Sequence, residues 1–242
     1  MNSPRLDLCY DRTTKGIRPS WSGTDLYLTP EHQNIFEITK AIDGFQMPGD
    51  AYKLYEMAYH AGDVILEIGT YCGKSAVIAL RGALANPKRE HPQWYGIDVS
   101  KTSVVRTQET LAKWNLAQYT AVFRGDLRRF FQKPAISPTM VFLDGGHAYP
   151  TVKNDIEVLS RALCQGVPIL CHDFLHSNNK DGSYGVERAC TEWEQTGQVK
   201  FMGCFGCSAL FVTVEEPRPI ARRSIWVAFK RVLARPISRV RG

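Results

Sequence analysis

Short apolar runs alternate with longer amphipathic segments along the middle of this chain, from residue 63 to residue 196. A short apolar run bounded by turn residues is typical of a buried strand, and apolar residues at spacings of three and four are typical of a helix. Strands that alternate with helices build a parallel sheet, because each helix carries the chain back across the sheet. The pattern therefore predicts an α/β fold with a Rossmann-like, doubly wound sheet.

The same pattern sets the bounds of the elements. Five strands are predicted at 64–69, 94–99, 119–125, 139–145 and 167–173. The helices that follow them are predicted at 74–84, 104–114, 127–132, 152–164 and 185–194. Two final strands, 199–206 and 208–214, are joined by a tight turn and add an antiparallel hairpin, so the mostly parallel sheet has seven strands. Cys204 and Cys207 flank this turn, which accounts for their spacing better than a metal or redox pair does.

Two helices are predicted before the first strand. Thr29 followed by Pro30 is a typical helix start, and apolar residues then recur from Ile35. A second apolar stripe predicts a helix over 48–60. We expect an arm and helical cap at 1–60, a cofactor-binding domain at 61–216 and a basic tail at 217–242.

The charge of the chain is unevenly distributed. The net charge is +6, but residues 217–242 hold eight basic residues and no acidic one, which leaves −2 for residues 1–216. A nucleic-acid-binding face on the body is therefore not indicated, and no nucleic-acid partner is expected. No apolar run reaches eighteen residues and the N-terminal segment has no apolar core, which favours a cytoplasmic protein over a secreted or membrane-spanning one.

A glycine-rich turn follows the first predicted strand, in Glu67-Ile-Gly-Thr-Tyr-Cys-Gly73. Gly69 and Gly73 let the backbone approach a ligand closely, and the helix that begins there offers free N–H groups to an anion. The spacing is not the G-x-G-x-x-G of dinucleotide-binding turns. Glu67 would repel a pyrophosphate but attract an ammonium group, so the turn favours S-adenosylmethionine (SAM) over a dinucleotide.

Two more aspartates follow the next strands. Asp98 ends the second strand, where it is suited to accept the ribose hydroxyls of a nucleoside. Asp126 follows the third strand and is suited to the adenine amino group. Asp126 is equally suited to cap the helix that begins at residue 127, and the two roles are compatible.

Four polar residues end the fourth and fifth predicted strands: Asp144, His147, His172 and Asp173. Because neighbouring parallel strands end at the same edge of a sheet, we expect these side chains to converge near the transferable methyl group. Two carboxylates with histidines suit a divalent cation that lowers the pKa of an acceptor hydroxyl, while a histidine takes the proton. The alternative is that these residues have only structural roles, as a turn aspartate and a hydrogen-bonded core histidine. That alternative would suffice for a single residue, but four polar residues together favour a functional site.

The span from about 43 to 214 resembles the macrocin/tylosin-type sugar O-methyltransferases and the related cephalosporin-hydroxylase-like proteins, within the class I SAM-dependent methyltransferases. The segments that carry the resemblance are GDAYKLYEMA, EIGTYCGKSA, LDGGHAYPTVKNDI and PILCHDF. The resemblance implies O-methylation of a sugar-like or other small hydroxylated molecule. It also implies Asp144 and Asp173 as metal ligands, with Mg²⁺ as the metal, and His147 as the general base.

One pair departs from the family pattern. Metal-dependent members commonly carry two acids at the end of the fifth strand, whereas this chain has His172-Asp173. Either His172 is the third metal ligand, or the metal is weak or absent and His172 assists proton transfer. The catalytic residues we predict are His147, His172 and Asp144, and the metal ligands are Asp144, His172 and Asp173. The residues expected around SAM are Glu67, Gly69, Thr70, Tyr71, Gly73, Ser75, Asp98, Val99, Gly125, Asp126 and Asp144.

Substrate specificity is expected from the cap and from the polar loop at 176–184. In the tail, residues 223–235 predict a basic amphipathic helix, which either contacts an anionic membrane or packs on protein. Membrane contact would fit a lipid-linked acceptor such as a glycan precursor. A homo-oligomer is the default expectation for such an enzyme.

Three other function classes stay open at this point. The chain is alternatively a hydroxylase-like member of the same fold, an RNA or protein methyltransferase, or a partner protein that binds the cofactor without turnover. Fold-level analogy does not choose among them.

Overall fold

The computed structural model of the chain describes residues 29–132 and 136–214. The predicted arm before residue 29 and the predicted basic tail, with its helix at 223–235, lie outside these residues. None of the helices in the described part of the chain is long and apolar enough to cross a membrane.

The strands pair in the order β3-β2-β1-β4-β5-β7-β6. Their bounds are β1 Val64–Ile68, β2 Gln93–Asp98, β3 Thr120–Arg124, β4 Met140–Leu143, β5 Pro168–Cys171, β6 Val199–Phe205 and β7 Ser208–Thr213. Strands β1 to β5 run parallel, whereas β7 runs antiparallel to β5 and β6. This confirms the predicted doubly wound sheet and its C-terminal hairpin. Each strand ends one or two residues earlier than predicted, because the last predicted residues already belong to the loop or turn that follows the strand.

The α-helices of the described residues are α1 Pro30–Ile38, α2 Pro48–Ala61, α3 Lys74–Ala85, α4 Lys101–Lys113, α5 Leu127–Phe130, α6 Tyr149–Ala162 and α7 Val186–Gln195. Two of them begin three residues before the predicted position. Helix α4 begins early because the Ser100 side chain caps it by accepting a hydrogen bond from the Ser103 N–H. Helix α6 begins early because Pro150 occupies its first turn, where a missing N–H costs nothing.

Helices α1 and α2 form the predicted cap before β1, and α2 packs closely on α3. A Cβ atom on Gly82 of α3 would lie only 2.2 Å from the Tyr55 carbonyl oxygen of α2, so this close approach requires glycine. The buried faces of both helices meet the central strands, whose large side chains Trp94 and Phe142 are fully buried. Burial on both faces explains why β4 and β5 are continuous apolar runs.

Asp50 attaches the cap to the C-terminal hairpin. Its carboxylate is fully buried, and Oδ1 accepts hydrogen bonds from the Cys207 N–H at 2.9 Å, the Ser208 N–H at 3.0 Å and the Ser208 hydroxyl at 2.6 Å. Oδ2 accepts from the Met47 N–H at 2.7 Å, which caps α2. One carboxylate therefore satisfies four donors from two distant segments of the chain.

We predict that Asp50→Ala lowers the free energy of unfolding by about 3 to 5 kcal/mol, since it leaves several buried donors without an acceptor. Asp50→Asn keeps one acceptor oxygen and should lose less. Urea denaturation measures both, with Glu37→Ala on the exposed face of α1 as the control, expected within about 0.5 kcal/mol of the wild type. An Asp50→Ala protein as stable as the control would contradict this role.

Candidate functional site

A cavity of about 840 Å³ opens at the carboxyl ends of the parallel strands. It lies where the strand order reverses between β1 and β4, the usual place for a ligand in a doubly wound sheet. Its walls include residues 43–47, here called the cap loop, and part of residues 176–184, here called the polar loop. The predicted site residues that line it are Gly69, Thr70, Tyr71, Ser75, Asp98, Val99, Gly125, Asp126, Asp144, His147, His172 and Asp173. Glu67 and Gly73 are not among its lining residues.

The loop after β1 packs directly against the loop after β4. Gly69 has φ +85°, and a Cβ atom there would lie 2.0 Å from the Asp144 carbonyl oxygen. Gly73, with φ +78°, then starts α3 in the left-handed region that favours glycine. Both glycines are therefore required by the backbone, and the close contact places the predicted cofactor turn beside the predicted chemical site.

Asp98 joins the end of β2 to the glycine-rich turn. Its Oδ2 accepts hydrogen bonds from the Thr70 N–H at 3.0 Å and the Tyr71 N–H at 3.2 Å, and its Oδ1 accepts from the Ser100 N–H at 2.8 Å. A carboxylate offers about four acceptor positions, so Oδ1 keeps capacity for a ribose hydroxyl. The adjacent Val99 is 72 % exposed at the cavity and offers an apolar surface to a base.

Asp126 caps α5, because its Oδ1 accepts a hydrogen bond from the Arg129 N–H at 2.8 Å. The predicted capping role is thus present in the structure. Asp126 also lines the cavity beside Gly125, and its predicted contact with adenine stays a prediction.

Glu67 lies behind the glycine-rich turn and is fully buried. Its carboxyl oxygens accept hydrogen bonds from the Ser75 hydroxyl and from the Trp94 indole N–H. Burial raises the pKa of Glu67 from 4.5 to about 8, although these hydrogen bonds oppose the change. The structure thus shows Glu67 supporting the turn, and its predicted contact with the methionine ammonium stays a prediction.

The four polar residues after β4 and β5 converge as predicted. His147 Nε2 lies 3.0 Å from Asp173 Oδ2 and 3.9 Å from Asp144 Oδ1. His172 Nδ1 lies 3.1 Å from Asp144 Oδ1 and 3.4 Å from Asp173 Oδ1. Asp173 has φ +58°, a left-handed conformation that is uncommon outside glycine and that aspartate adopts more readily than most residues. The two carboxylates therefore lie between two imidazoles.

These contacts favour the charged form of both histidines. Hydrogen bonding to Asp144 and then to Asp173 raises the pKa of His147 from 6.5 to about 9. Burial opposes a charge on His172 most strongly, yet Asp144, Asp173 and Asp50 together hold its pKa well above its ordinary value. Burial would likewise raise the pKa of Asp173, but the two histidines hold it well below its usual range.

The cluster has the donors of a divalent-cation site. Asp144, His147 and Asp173 each offer one ligand atom, and the three atoms lie within 4.8 Å of one another. Carboxylate and imidazole donors fit a divalent metal. His172, which we predicted as the third ligand, is 4 % exposed, and its buried Nδ1 has no aligned hydrogen bond. The group that meets this geometry among the described residues contains His147, and the predicted role of His172 as a ligand stays a prediction.

Two acidic side chains near this cluster were not predicted as site residues. Asp50 reaches it from α2, with Oδ2 at 3.6 Å from His172 Nε2. Asp155 on α6 lines the cavity at 6 % exposure, and burial raises its pKa from 3.8 to about 6. Asp50 sits three residues after Met47 at a helix start, a pattern typical of capping alone. For Asp155, an acid within an apolar helical stripe was the available signal.

The polar loop covers His147 through an aromatic stack. The Tyr184 ring lies 4.4 Å from the His147 ring and 4.7 Å from the His176 ring, with interplanar angles of 17° and 24°. The Gly185 N–H donates to the His147 carbonyl oxygen at 2.8 Å. The loop that we expected to set specificity therefore lies against the predicted base.

The cap loop forms the opposite rim of the cavity. Phe45 is 80 % exposed, and its ring lies 6.0 Å from that of Tyr71. The Tyr71 hydroxyl donates to Asp43 Oδ2 at 3.0 Å, which fixes the turn to this loop. Exposed apolar side chains at a cavity rim are typical of a ligand-binding surface.

Residues 66–174 match a protein family that is described as a methyltransferase domain. The match begins inside β1 and ends after Asp173, so it includes the glycine-rich turn, Asp98 and the acid–histidine cluster.

Solved methyltransferase structures share the fold. An O-methyltransferase from Bacillus cereus, in complex with S-adenosylhomocysteine (SAH), matches with a TM-score of 0.61 at 15 % identity, covering 79 % of this chain and 94 % of its own. The O-methyltransferase TomG from Streptomyces achromogenes, involved in tomaymycin synthesis and in complex with SAM, gives 0.59 at 16 % identity, covering 79 % and 94 %. A putative rRNA-methylase from Clostridium thermocellum gives 0.55 at 12 % identity, covering 71 % and 99 %. At these identities the likeness concerns the fold.

The buried carboxyl of Glu67 makes stability depend on pH. The folded state keeps this proton up to about pH 8, whereas the unfolded chain loses it near 4.5, so stability falls between these values by at most about 1.4 kcal/mol per pH unit. We predict that the wild type loses about 2 kcal/mol of unfolding free energy between about pH 5.5 and about pH 7.5, and that Glu67→Gln does not show this loss. Urea denaturation at the two pH values measures the difference. The exposed Glu90→Gln is the control, and an equal pH response in both variants would contradict the prediction.

Proposed function

We propose that this protein is an enzyme that transfers the methyl group of SAM to a hydroxyl oxygen of a small molecule. The match of residues 66–174 to a methyltransferase-domain family and the order of the strands support this proposal. We further propose that a divalent cation assists the reaction. One observation carries the proposal: Asp144, His147 and Asp173 meet in the same cavity as the glycine-rich turn and Asp98.

The proposed cofactor position follows from the order of groups along the cavity. Asp98 and Asp126 take the nucleoside end, because they lie after β2 and β3. The amino-acid end lies along the glycine-rich turn toward the start of α3. The loop after β4 then passes beside the sulfonium, since Gly69 packs on Asp144. This order directs the methyl group toward the acid–histidine cluster.

Proton removal is assigned to His147. Its side chain is 36 % exposed and lines the cavity, whereas that of His172 is 4 % exposed. Asp144 and Asp173 would hold the cation, whose Lewis acidity lowers the pKa of an acceptor hydroxyl. Carboxylates engaged in this way no longer favour the charged imidazole, so His147 becomes a neutral acceptor for the hydroxyl proton.

The lining charges support a small hydroxylated acceptor over RNA. Within the part of the chain that the structure describes, the cavity is lined by one lysine, Lys74, and by six aspartates: Asp43, Asp98, Asp126, Asp144, Asp155 and Asp173. Such a surface repels a phosphate backbone and attracts the cationic cofactor. The stack of Tyr184 between two imidazoles and the exposed ring of Phe45 offer both polar groups and ring faces, which suits a sugar-like acceptor.

We predict that the protein, incubated with methyl-tritiated SAM and Mg²⁺ or Mn²⁺, labels an oxygen of a hydroxylated small molecule from a panel of glycosides, polyols and phenols. His147→Ala should lower kcat by about 10²- to 10⁴-fold, because it removes the general base. Asp173→Asn should lower the rate and weaken Mn²⁺ binding, which is measured by electron paramagnetic resonance.

The control is Glu157→Gln, which removes an exposed carboxylate of α6 outside the cavity lining and should leave both measurements unchanged. Label that appears on RNA or protein instead would contradict the small-molecule assignment. Full activity of His147→Ala would contradict its role, and activity that persists without any divalent cation would contradict the metal.

A further inference from the structure

Tyr184 in the polar loop lies between two imidazole rings. Its ring centre is 4.4 Å from that of His147 and 4.7 Å from that of His176, at interplanar angles of 17° and 24°. Stacked aromatic rings attract each other, so the stack resists rotation of any one ring out of its plane. Each face of the phenol ring is therefore covered by an imidazole, and the His147 ring rests on one of these faces.

The polar loop is tied to the segments that carry the acid–histidine cluster. The Asn179 side-chain amide donates to the Asp173 carbonyl oxygen at 2.8 Å, and the Gly185 N–H donates to the His147 carbonyl oxygen at 2.8 Å. The Tyr184 N–H donates to a carbonyl oxygen within the loop at 3.0 Å. Because the loop is fixed on both sides of Tyr184, the position of the phenol ring over His147 is set by the backbone.

The residue after Tyr184 is fixed by close packing as well. A Cβ atom on Gly185 would lie 2.3 Å from Tyr149 Cβ, so the chain passes too near the start of α6 for any side chain. Tyr149 follows His147 by two residues, and α7 begins directly after Gly185. The Tyr184 backbone therefore cannot move away from His147 without breaking the contact between α6 and α7.

The His147 ring needs such support, because its polar contacts engage one ring nitrogen. Nε2 lies 3.0 Å from Asp173 Oδ2 and 3.9 Å from Asp144 Oδ1. Within residues 29–132 and 136–214, no group makes a hydrogen bond with His147 Nδ1. A histidine that acts as a base is commonly oriented by a hydrogen bond at its other ring nitrogen. The stack on Tyr184 supplies the orientation that this bond would give.

We propose that Tyr184 is a positioning residue, which holds the His147 imidazole in the orientation for proton removal by stacking on one of its faces. This inference rests on the proposed function, because it takes His147 as the base. The phenol ring carries the role, and the hydroxyl does not. An imidazole that turns about its Cβ–Cγ bond moves its accepting nitrogen away from the acceptor hydroxyl, and a displacement of about 1 Å slows a reaction by up to about 100-fold.

Methyl transfer from tritiated SAM tests the proposal, with the hydroxylated panel compound that the wild type labels as the acceptor. Tyr184→Leu should lower kcat roughly 10- to 100-fold and change KM by less than about threefold, because the base is misplaced while the acceptor still binds. Tyr184→Phe keeps the aromatic ring and should keep kcat within about threefold of the wild type.

Nuclear magnetic resonance detects the stack without any ligand. The ring current of Tyr184 shifts the carbon-bound ring protons of His147 upfield, because the two rings are stacked. This shift should persist in Tyr184→Phe and disappear in Tyr184→Leu, while isothermal titration gives the same SAH affinity for the wild type and both variants. The control is Tyr119→Leu, which removes a half-buried tyrosine outside the cavity lining and should change neither kcat nor the shift.

Each result separates this inference from the proposed function. A wild-type kcat in Tyr184→Leu, or a rise in KM alone, would overturn the positioning role and leave the proposed function intact. Equal losses of kcat in Tyr184→Phe and Tyr184→Leu would assign the role to the hydroxyl and overturn the stacking account. Failure of the wild type to methylate any compound of the panel would overturn the proposed function and this inference with it. A loss of both kcat and the upfield shift in Tyr184→Leu, with both retained in Tyr184→Phe, supports the inference.

Discussion

The contact between the loops after β1 and β4 is the constraint on which the rest of the site depends. Gly69 comes so close to the Asp144 carbonyl that no side chain fits between them. This contact sits at the reversal of strand order, so it joins the turn proposed for the cofactor to the acid–histidine cluster. Asp98 reinforces it from β2 by accepting the Thr70 and Tyr71 N–H groups. The backbone therefore fixes the distance between the two halves of the proposed reaction before any ligand binds.

The cavity around this contact contains more acidic than basic side chains among the described residues. Among the described residues that line the cavity, aspartates outnumber lysines, and His147 and His172 lie against the carboxylates of Asp144 and Asp173. Asp50 extends this network from the cap to His172, and the same carboxylate holds the C-terminal hairpin. Helix α2 of the cap therefore both holds the C-terminal hairpin and contributes a carboxylate next to the site. A cationic cofactor and a divalent cation both suit such a cavity, whereas a polyanion does not.

Periodicity and loop chemistry in the sequence predict most of this framework. The alternation of strands and helices predicts the sheet, and strand ends in a parallel sheet predict that Asp144, His147, His172 and Asp173 meet. The sequence pattern does not reveal contacts made by folding distant segments together. The residues next to Asp50 in the sequence predict a helix cap, and they give no sign that Asp50 also accepts a hydrogen bond from Ser208. The orientation of Glu67 away from the cavity, the burial of Lys74 and the stacking of Tyr184 depend equally on tertiary packing.

A crystal structure of the protein with SAH and Mn²⁺ would show whether the glycine-rich turn and the acid–histidine cluster hold the two halves of one reaction. We expect the ribose on Asp98, the homocysteine sulfur directed at Asp144 and His147, and an anomalous manganese peak at Asp144 and Asp173. An acceptor oxygen could then lie within about 3 to 3.5 Å of the methyl position. SAH bound elsewhere, or with its sulfur directed away from the acid–histidine cluster, would show that the turn and the cluster do not serve one methyl transfer.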